Sequence, residues 1–387
     1  MHVPAKNVSS PATSLGSAYA GAAATFSGIG LSRFAYVPLF PAMVTAGWIT
    51  GPEGAVLGAM NLGGYLAGVL GGRTLAGRIG TTRALDCGMA LAVLGFAACA
   101  INLGAPWLAL CRFISGAAGG ILMALAGPAV QGAVQPNHRG RAGGIVISGV
   151  GIGVMVASAA VPAALPSGIP ATWLLLAGIV AALWAAAHPR WPDTPIAPPP
   201  VGKPARSGIL QTAYGVSAAG LVPHMVFFAD AAVRGHGLSA AFGSALWLVF
   251  GAGGLAGTLL AGRIVDRFGA LAAFRLWLAL QVFALATALS DSPVLLAGSA
   301  FAGGFAAMGL AAIALARARE LAGAAAGAVW VRATAAFAIA QAVTGFALAA
   351  LFGRTGSHQD VFLAGLALSV AALMIAFINA DRMAADA

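Results

Sequence analysis

Charged side chains are scarce in this chain: they make up 8% of its 387 residues, against about a quarter in soluble domains. Acidic groups are the scarcest, with ten Asp and Glu beside twenty Lys and Arg. The shortage excludes an ordinary soluble globular protein. A nucleic-acid-binding protein is disfavoured as well, because the basic residues are spread between apolar blocks instead of lying together on one face.

Cysteine is nearly absent, with three residues and no C-x-x-C pair. No His, Cys, Asp or Glu cluster has the spacing of a metal site, and the apolar stretches contain no carboxylate pair or activated nucleophile. A phosphate-binding P-loop is also missing, which disfavours ATP as an energy source. We therefore expect no metal, no cofactor and no enzymatic activity.

Long apolar runs dominate the chain, which is 60% hydrophobic with a mean hydropathy of +0.92. Because about 20 apolar residues cross a bilayer as one helix, these runs predict an all-α polytopic membrane protein with twelve spans. The predicted spans are 16–43, 53–71, 84–103, 106–133, 142–163, 171–188, 209–229, 240–262, 270–289, 293–315, 322–351 and 360–379.

The basic residues of the loops predict the orientation. With the N-terminus inside, nearly all of them lie in the cytoplasm, and only Arg234 and Arg354 lie outside. The composition, with far more Arg than Lys, indicates a bacterial source. We therefore expect a bacterial inner-membrane protein with both termini in the cytoplasm. A Pro-rich cytoplasmic linker, 188–208, divides it into six-helix bundles at 1–187 and 209–387.

An internal repeat supports this division. Residues 63–80 align with residues 252–269 at an offset of 189, and both copies cover the end of an even-numbered span and the turn after it. A parallel duplication of six spans implies two bundles related by a pseudo-twofold axis normal to the membrane. The substrate site of such a protein is expected between the bundles, near the midplane.

Three stretches contain recognisable motifs: Gly262–Gly269, Arg112–Gly116 and Gly28–Met43. They resemble segments of the major facilitator superfamily of transporters. Gly262–Gly269 resembles its loop signature G-x-x-x-D-R-x-G, although Gly77 replaces the Asp in the first-half copy. Arg112–Gly116 resembles the R-x-x-x-G motif of span 4. Gly28–Met43 is similar to the opening stretch of the YbfB/YjiJ-like bacterial branch. The resemblance implies two bundles that alternate access to a central site.

Four ionisable groups fall deep in predicted spans, where burial is costly and function is the usual reason for it: Arg33, Arg112, Arg332 and His224. No carboxylate lies at the same depth, so the cavity is expected to be positive. Arginine forks suit carboxylates. The sequence thus favours a small organic anion as substrate, with Arg33 and Arg332 as ligands. Alternatively, Arg33 reaches the outer interface and Arg112 binds a carbonyl of a broken helix.

His224 follows Pro223, which must disturb the backbone hydrogen bonds of span 7. It is a candidate proton carrier, with Asp230 as the second candidate, and a packing role is the alternative. The resemblance implies a coupling or conformational role for Arg112. Uncharged polar residues that could bind substrate or join helices are Tyr36, Asn61, Tyr65 and Gln341.

The turns at the cytoplasmic side are candidate gates. The resemblance implies that the Asp266 carboxylate lies at the N-terminus of span 5, where the helix dipole favours a negative charge. The predicted gate consists of Asp266, Arg267, Gly262, Gly269, Arg78, Gly80, Arg139 and Arg141.

The sequence therefore predicts a secondary transporter that works by alternating access on a small, carboxylate-type solute, with protons as the candidate coupling ion. The alternative is a proton-driven efflux pump for drugs or metabolites. Span 5 lacks the Gly-Pro of the antiporter signature, which weakens that alternative. We expect a monomer in the lipid bilayer, with no nucleic-acid partner.

Overall fold

The computed structural model of the chain describes residues 11–135, 138–193 and 207–378, and helices are the only regular elements within these ranges. The α-helices are α1 (Pro11–Thr25), α2 (Tyr36–Thr45), α3 (Gly51–Ile79), α4 (Thr81–Cys99), α5 (Ala105–Ala133), α6 (Arg139–Ala164), α7 (Ile169–Ala187), α8 (Gly208–Gly220), α9 (Val222–Val226), α10 (Phe228–Asp230), α11 (Ala240–Phe268), α12 (Ala270–Thr287), α13 (Pro293–Ala322), α14 (Ala326–Thr355) and α15 (His358–Ala376).

Ten of the described helices are long and apolar enough to cross a membrane. Two further segments are interrupted. In the first, 11–45, a π-helical turn and a loop separate α1 from α2; in the second, 208–235, α8, α9 and α10 follow one another through short breaks. Counted with the ten helices, they give the twelve spans expected from the sequence. The all-α, polytopic fold class is confirmed.

Three helices continue past the ends that hydropathy predicted for them. The helices α3, α11 and α13 end at Ile79, Phe268 and Ala322, six to eight residues beyond the expected ends. Arginine is a good helix former, so a helix need not end where the hydrocarbon ends. The stretch that resembled a loop signature is therefore the last part of α11, and only Gly269 forms the turn.

The repeat is visible in the packing of the two halves. A Cβ atom at Gly64 would lie 2.0 Å from the carbonyl oxygen of Phe113, and one at Gly253 would lie 2.1 Å from that of Phe301. Glycine is required at both positions because the backbones of α3 and α5, and of α11 and α13, are in direct contact. Aligned glycines thus make the same helix contact in each half.

The turns after α3 and α11 also correspond. Gly80 has φ 90° and ψ 154°, and Gly269 has φ 81° and ψ 157°. Residues with a side chain rarely adopt this conformation, which explains the glycine at the same place in both copies.

The two ends of the molecule differ, and we name them by what they carry. The linker end carries the turns at Gly80 and Gly269; the far end carries Gly104 and Gly356. At the linker end, the Asp86 carboxylate accepts hydrogen bonds from the indole nitrogens of Trp184 (2.7 Å) and Trp191 (2.9 Å). This contact fixes the segment after α7 onto α4.

The halves touch near the far end. A Cβ atom at Gly58 on α3 would lie 2.4 Å from the side chain of Val226, and one at Gly151 on α6 would lie 3.4 Å from Leu255 on α11. Gly144 on α6 and Gly262 on α11 lie closer to the linker end than Gly151 and Leu255 do. A Cβ atom at either glycine would have no neighbouring heavy atom within 4 Å. The contact between α6 and α11 is therefore close at Gly151 and does not continue at Gly144 and Gly262.

Candidate functional site

The site begins at the break in the first interrupted segment. Residues 32–35 form a turn, which leaves carbonyl groups without helical partners. Arg112 on α5 donates from Nη1 to the Ser32 carbonyl (2.8 Å) and from Nη2 to the Arg33 carbonyl (3.4 Å). Asn61 on α3 donates to the Ser32 carbonyl as well (3.2 Å). The alternative expected for Arg112, a bond to a broken-helix carbonyl, matches this geometry.

Arg112 is enclosed within the first half. It is 1% exposed, and its guanidinium lies 4.7 Å from the centre of the Tyr36 ring. The Tyr36 hydroxyl donates to the Gly54 carbonyl at 2.8 Å, and Tyr36 is 1% exposed. Tyr36 and Asn61 therefore join helices, which was the alternative to substrate binding.

Arg33 occupies a different position, at the contact between the halves. Its Nη2 atom donates to Oε1 of Gln341 on α14 at 2.5 Å, and its guanidinium lies 4.8 Å from the Tyr65 ring centre. Arg33 is 7% exposed and its buried Nε atom has no hydrogen-bond partner. Among the described residues, no carboxylate forms a salt bridge with Arg33 or Arg112.

Gln341 connects this arginine to the second interrupted segment. Its amide nitrogen lies 3.1 Å from the sulfur of Met225 in α9. Nearby, the indole nitrogen of Trp247 on α11 donates to the carbonyl of Phe34 at 3.0 Å. Arg33, Tyr65 and Gln341, which the sequence singled out separately, thus lie together where the halves meet.

His224 lies inside the second half. It is 0% exposed and hydrogen-bonds to the Ser299 hydroxyl through Nε2 (2.9 Å), and its ring lies 4.8 Å from the Phe228 ring in a tilted arrangement. Its Nδ1 atom has no partner. The ring also neighbours Phe250 and Phe362. These surroundings are those of a packed histidine.

Arg332 does not join the cluster, and the expectation that it is buried at bilayer depth is wrong. It is exposed, and it precedes Gln341 by nine residues, which places the two side chains on opposite faces of α14. Ile339 and Val343, 47% and 63% exposed, share its face. Arg332 therefore lies on the outer surface of the molecule. Hydropathy alone does not give the angular position of a residue on its helix.

Asp230 is more buried than its place at a predicted span end indicated. It is 0% exposed, bonds to both Nε and Nη2 of Arg234 at 2.5 Å, and lies 2.7 Å from His358 Nε2. The Arg234 guanidinium reaches the first half, 5.6 Å from the Phe40 ring centre. Sequence reasoning missed Arg234 and His358. The spacing of four between Asp230 and Arg234 was the available signal.

The predicted gate residues lie at the linker end. Asp266 is exposed, and within the described ranges it forms no salt bridge. The side chain of Arg139 lies outside the described residues. The other members are exposed too: Arg267, Gly262, Gly269, Arg78, Gly80 and Arg141.

Comparison with known families decides the identity of the fold. The family described as "Uncharacterised MFS-type transporter YbfB", a branch of the major facilitator superfamily, matches residues 25–377. The chain belongs to this family. The resemblance seen in the sequence is thereby confirmed, and the YbfB-type family is one of membrane transporters.

A solved structure agrees with this assignment at the level of the fold. The crystal structure of a point mutant of the nucleoside transporter NupG superimposes with a TM-score of 0.70. The alignment covers 94% of this chain and all of NupG at 14% identity, which shows the fold alone. No curated protein matches the chain in sequence. Within the described residues, no group of His, Cys, Asp and Glu is suited to hold a metal ion.

Proposed function

We propose that this YbfB-type protein is a secondary transporter for a small organic anion of the carboxylate type, and that Arg33 binds the anion. One observation carries the proposal: Arg33 lies at the contact between the halves with no carboxylate of the described residues beside it. A guanidinium held in an apolar site without a counter-charge favours an incoming anion.

The polar groups around Arg33 support this role. Tyr65 lies against the guanidinium from α3, and Gln341 reaches it from α14, so both halves contribute to one site. Such a site can be exposed alternately as the halves rock. We assign the linker end of the molecule to the cytoplasm from the distribution of basic residues.

The remaining roles complete the proposal. The two halves are separate domains that rock as units, and the protein acts as a monomer in a bacterial inner membrane. Asp230, together with His358, is the candidate site of proton exchange at the far end. His224 is the weaker candidate because it is sealed inside the second half. Asp266 and the arginines of the linker end close that side in the opposite conformation.

Ligand-dependent thermal stability tests the charge of the substrate. Purified full-length protein is melted with acetate, lactate, succinate, phosphate, glucose or a cationic dye. We expect one carboxylate class to raise the melting temperature, since a ligand at a hundred times its Kd stabilises by about 2.7 kcal/mol. Arg33→Ala should abolish the shift. Arg332→Ala, which removes an arginine from the outer surface, should retain it. Stabilisation by glucose or the dye but by no anion would refute the proposal.

A further inference from the structure

The hydrogen bond between Arg33 and Gln341 joins the two halves at the candidate site. Arg33 belongs to the break in the first segment, and Gln341 lies on α14 of the second half, 308 positions away in sequence. Both side chains are buried. Gln341 is also one helical turn from Gly345, which packs against Leu62 and Ala59 on α3. The bond therefore lies beside the contact between α3 and α14, and we call the bond and this contact together the α3–α14 seam.

The amide oxygen of Gln341 occupies the position that suits a carboxylate oxygen. A guanidinium binds a carboxylate through two parallel hydrogen bonds, and the charged pair is stronger than a bond to a neutral amide. Gln341 supplies one neutral oxygen, at 2.5 Å from Nη2, and the buried Nε atom of Arg33 has no partner. Arg33 thus retains a donor that the amide does not satisfy.

Gln341 is also held weakly on its other side. Its amide nitrogen has the sulfur of Met225 as its neighbour, and a thioether is a weak acceptor. Rotation of the Gln341 side chain away from Arg33 therefore loses little beyond its hydrogen bond to Arg33. An arriving carboxylate replaces that bond.

We propose that Gln341 is a specificity-determining latch: its amide holds the place of the substrate carboxylate on Arg33, and the substrate must displace it to bind. Displacement removes a bond between the halves, so binding of the anion loosens the α3–α14 seam. The inference rests on the proposed function. It assigns to one side chain both competition with the substrate and coupling of binding to movement.

Two changes of Gln341 act in opposite directions. Gln341→Met keeps the length of the side chain but removes the oxygen, so a carboxylate no longer competes with it. Because the carboxylate then no longer has to displace the hydrogen bond between Gln341 and Arg33, we expect the carboxylate probe to bind about tenfold more tightly. Gln341→Glu supplies a permanent anion to Arg33, and we expect probe binding at least tenfold weaker.

The experiment uses the full-length protein in detergent with the carboxylate salt that stabilises the wild type, drawn from acetate, lactate and succinate. Calorimetry gives the Kd, and hydrogen–deuterium exchange of residues 51–62 and 341–355 reports the seam. We expect the probe to raise exchange in the wild type. Gln341→Met should show raised exchange without the probe, and Gln341→Glu lowered exchange.

Gln281→Leu is the matched control. Gln281 is a buried glutamine inside the second half, where it donates to the Ser217 carbonyl and the Ser369 hydroxyl. Its loss should lower the melting temperature without changing the Kd. Gln341→Leu replaces the Met variant if the latter does not fold.

Two results overturn the inference and are distinguishable. If the wild type binds a carboxylate through Arg33 but both Gln341 variants keep its Kd within about twofold, the latch is wrong and the proposed function stands. If no carboxylate binds, or if Arg33→Ala leaves binding intact, the proposed function fails and the latch fails with it.

Discussion

The break in the first half is stabilised by a charged side chain, whereas the break in the second half contains a histidine that lies among aromatic rings. In the first, Arg112 and Asn61 donate to the carbonyl of Ser32. In the second, the break carries His224, which sits among phenylalanine rings and hydrogen-bonds to a single hydroxyl, that of Ser299. Both segments are interrupted, yet the side chains around the two breaks differ in chemistry.

The helix packing around the two breaks, in contrast, is the same in both halves. Gly64 and Gly253 make the same backbone contact in their respective halves. The duplication thus kept the helix contacts, where any side chain would clash, and diverged at the breaks, where several side-chain chemistries can hold a turn. Among the described residues, Arg33 of the first half lies at the interface without a carboxylate, whereas Arg234 of the second half, which also reaches the interface, is paired with Asp230. The proposed anion site is therefore asymmetric.

The largest loss of stability is expected when the charged side chain at the first break is replaced by an apolar one. Arg112→Met removes two charge-assisted hydrogen bonds and leaves the Arg33 carbonyl unpaired, which should lower the free energy of unfolding by about 2–4 kcal/mol. His224→Phe removes one bond and a buried unpaired nitrogen, and it should change stability by less than about 1 kcal/mol. Melting temperatures in detergent measure both.

Arg112→Lys sharpens this test. A lysine keeps the charge but cannot reach two carbonyls with a planar fork, so its stability should fall between those of the wild type and Arg112→Met. Equal losses at Arg112 and His224 would contradict the comparison between the breaks.

The next largest loss of stability, from substitution of the glycines at the helix contacts, should be equal in the two halves. Gly64→Ala and Gly253→Ala each place a Cβ atom about 2 Å from a carbonyl oxygen. Separating the helices should lower the free energy of unfolding by about 1–3 kcal/mol in each variant. Gly71→Ala, on α3 with open space around it, is the control and should not destabilise. A loss confined to one half would show that the equivalent contacts are not equivalent in energy.

The smallest effect concerns the turns at the linker end. Gly80→Ala and Gly269→Ala force a side chain into a positive-φ conformation, and each should lower the melting temperature by an amount that corresponds to about 1–2 kcal/mol. Gly77→Ala lies within α3, where alanine is the better helix former, and should be neutral or stabilising. A loss at Gly77 as large as that at Gly80 would disprove the role of φ.

The sequence was sufficient for the spans because the thickness of the bilayer sets their length. It also identified Arg33 and Arg112 as deep groups, since charge within an apolar run is conspicuous. The repeat was visible for the same reason that it is structurally required: glycine at a backbone contact cannot be replaced without a clash.

The partners of these groups were beyond sequence reasoning. The bond from Arg33 to Gln341 joins residues 308 positions apart, and its existence depends on how two helices rotate against each other. The same rotation decides that Arg332 faces outward. Asp230 looked like a residue at a span end because its partners, Arg234 and His358, come from the π-helical segment after α10 and from α15.

The hydrogen bonds from Trp184 and Trp191 to Asp86 have a consequence for the connection between the two halves. Because Trp191 is bound to the first half, the tether between the halves starts at about residue 194 and ends before Ser207. Thirteen residues span at most about 45 Å when fully extended, and this length is the upper bound on the separation of the two anchoring points. Removing half of these residues would lower that upper bound to about 20–25 Å.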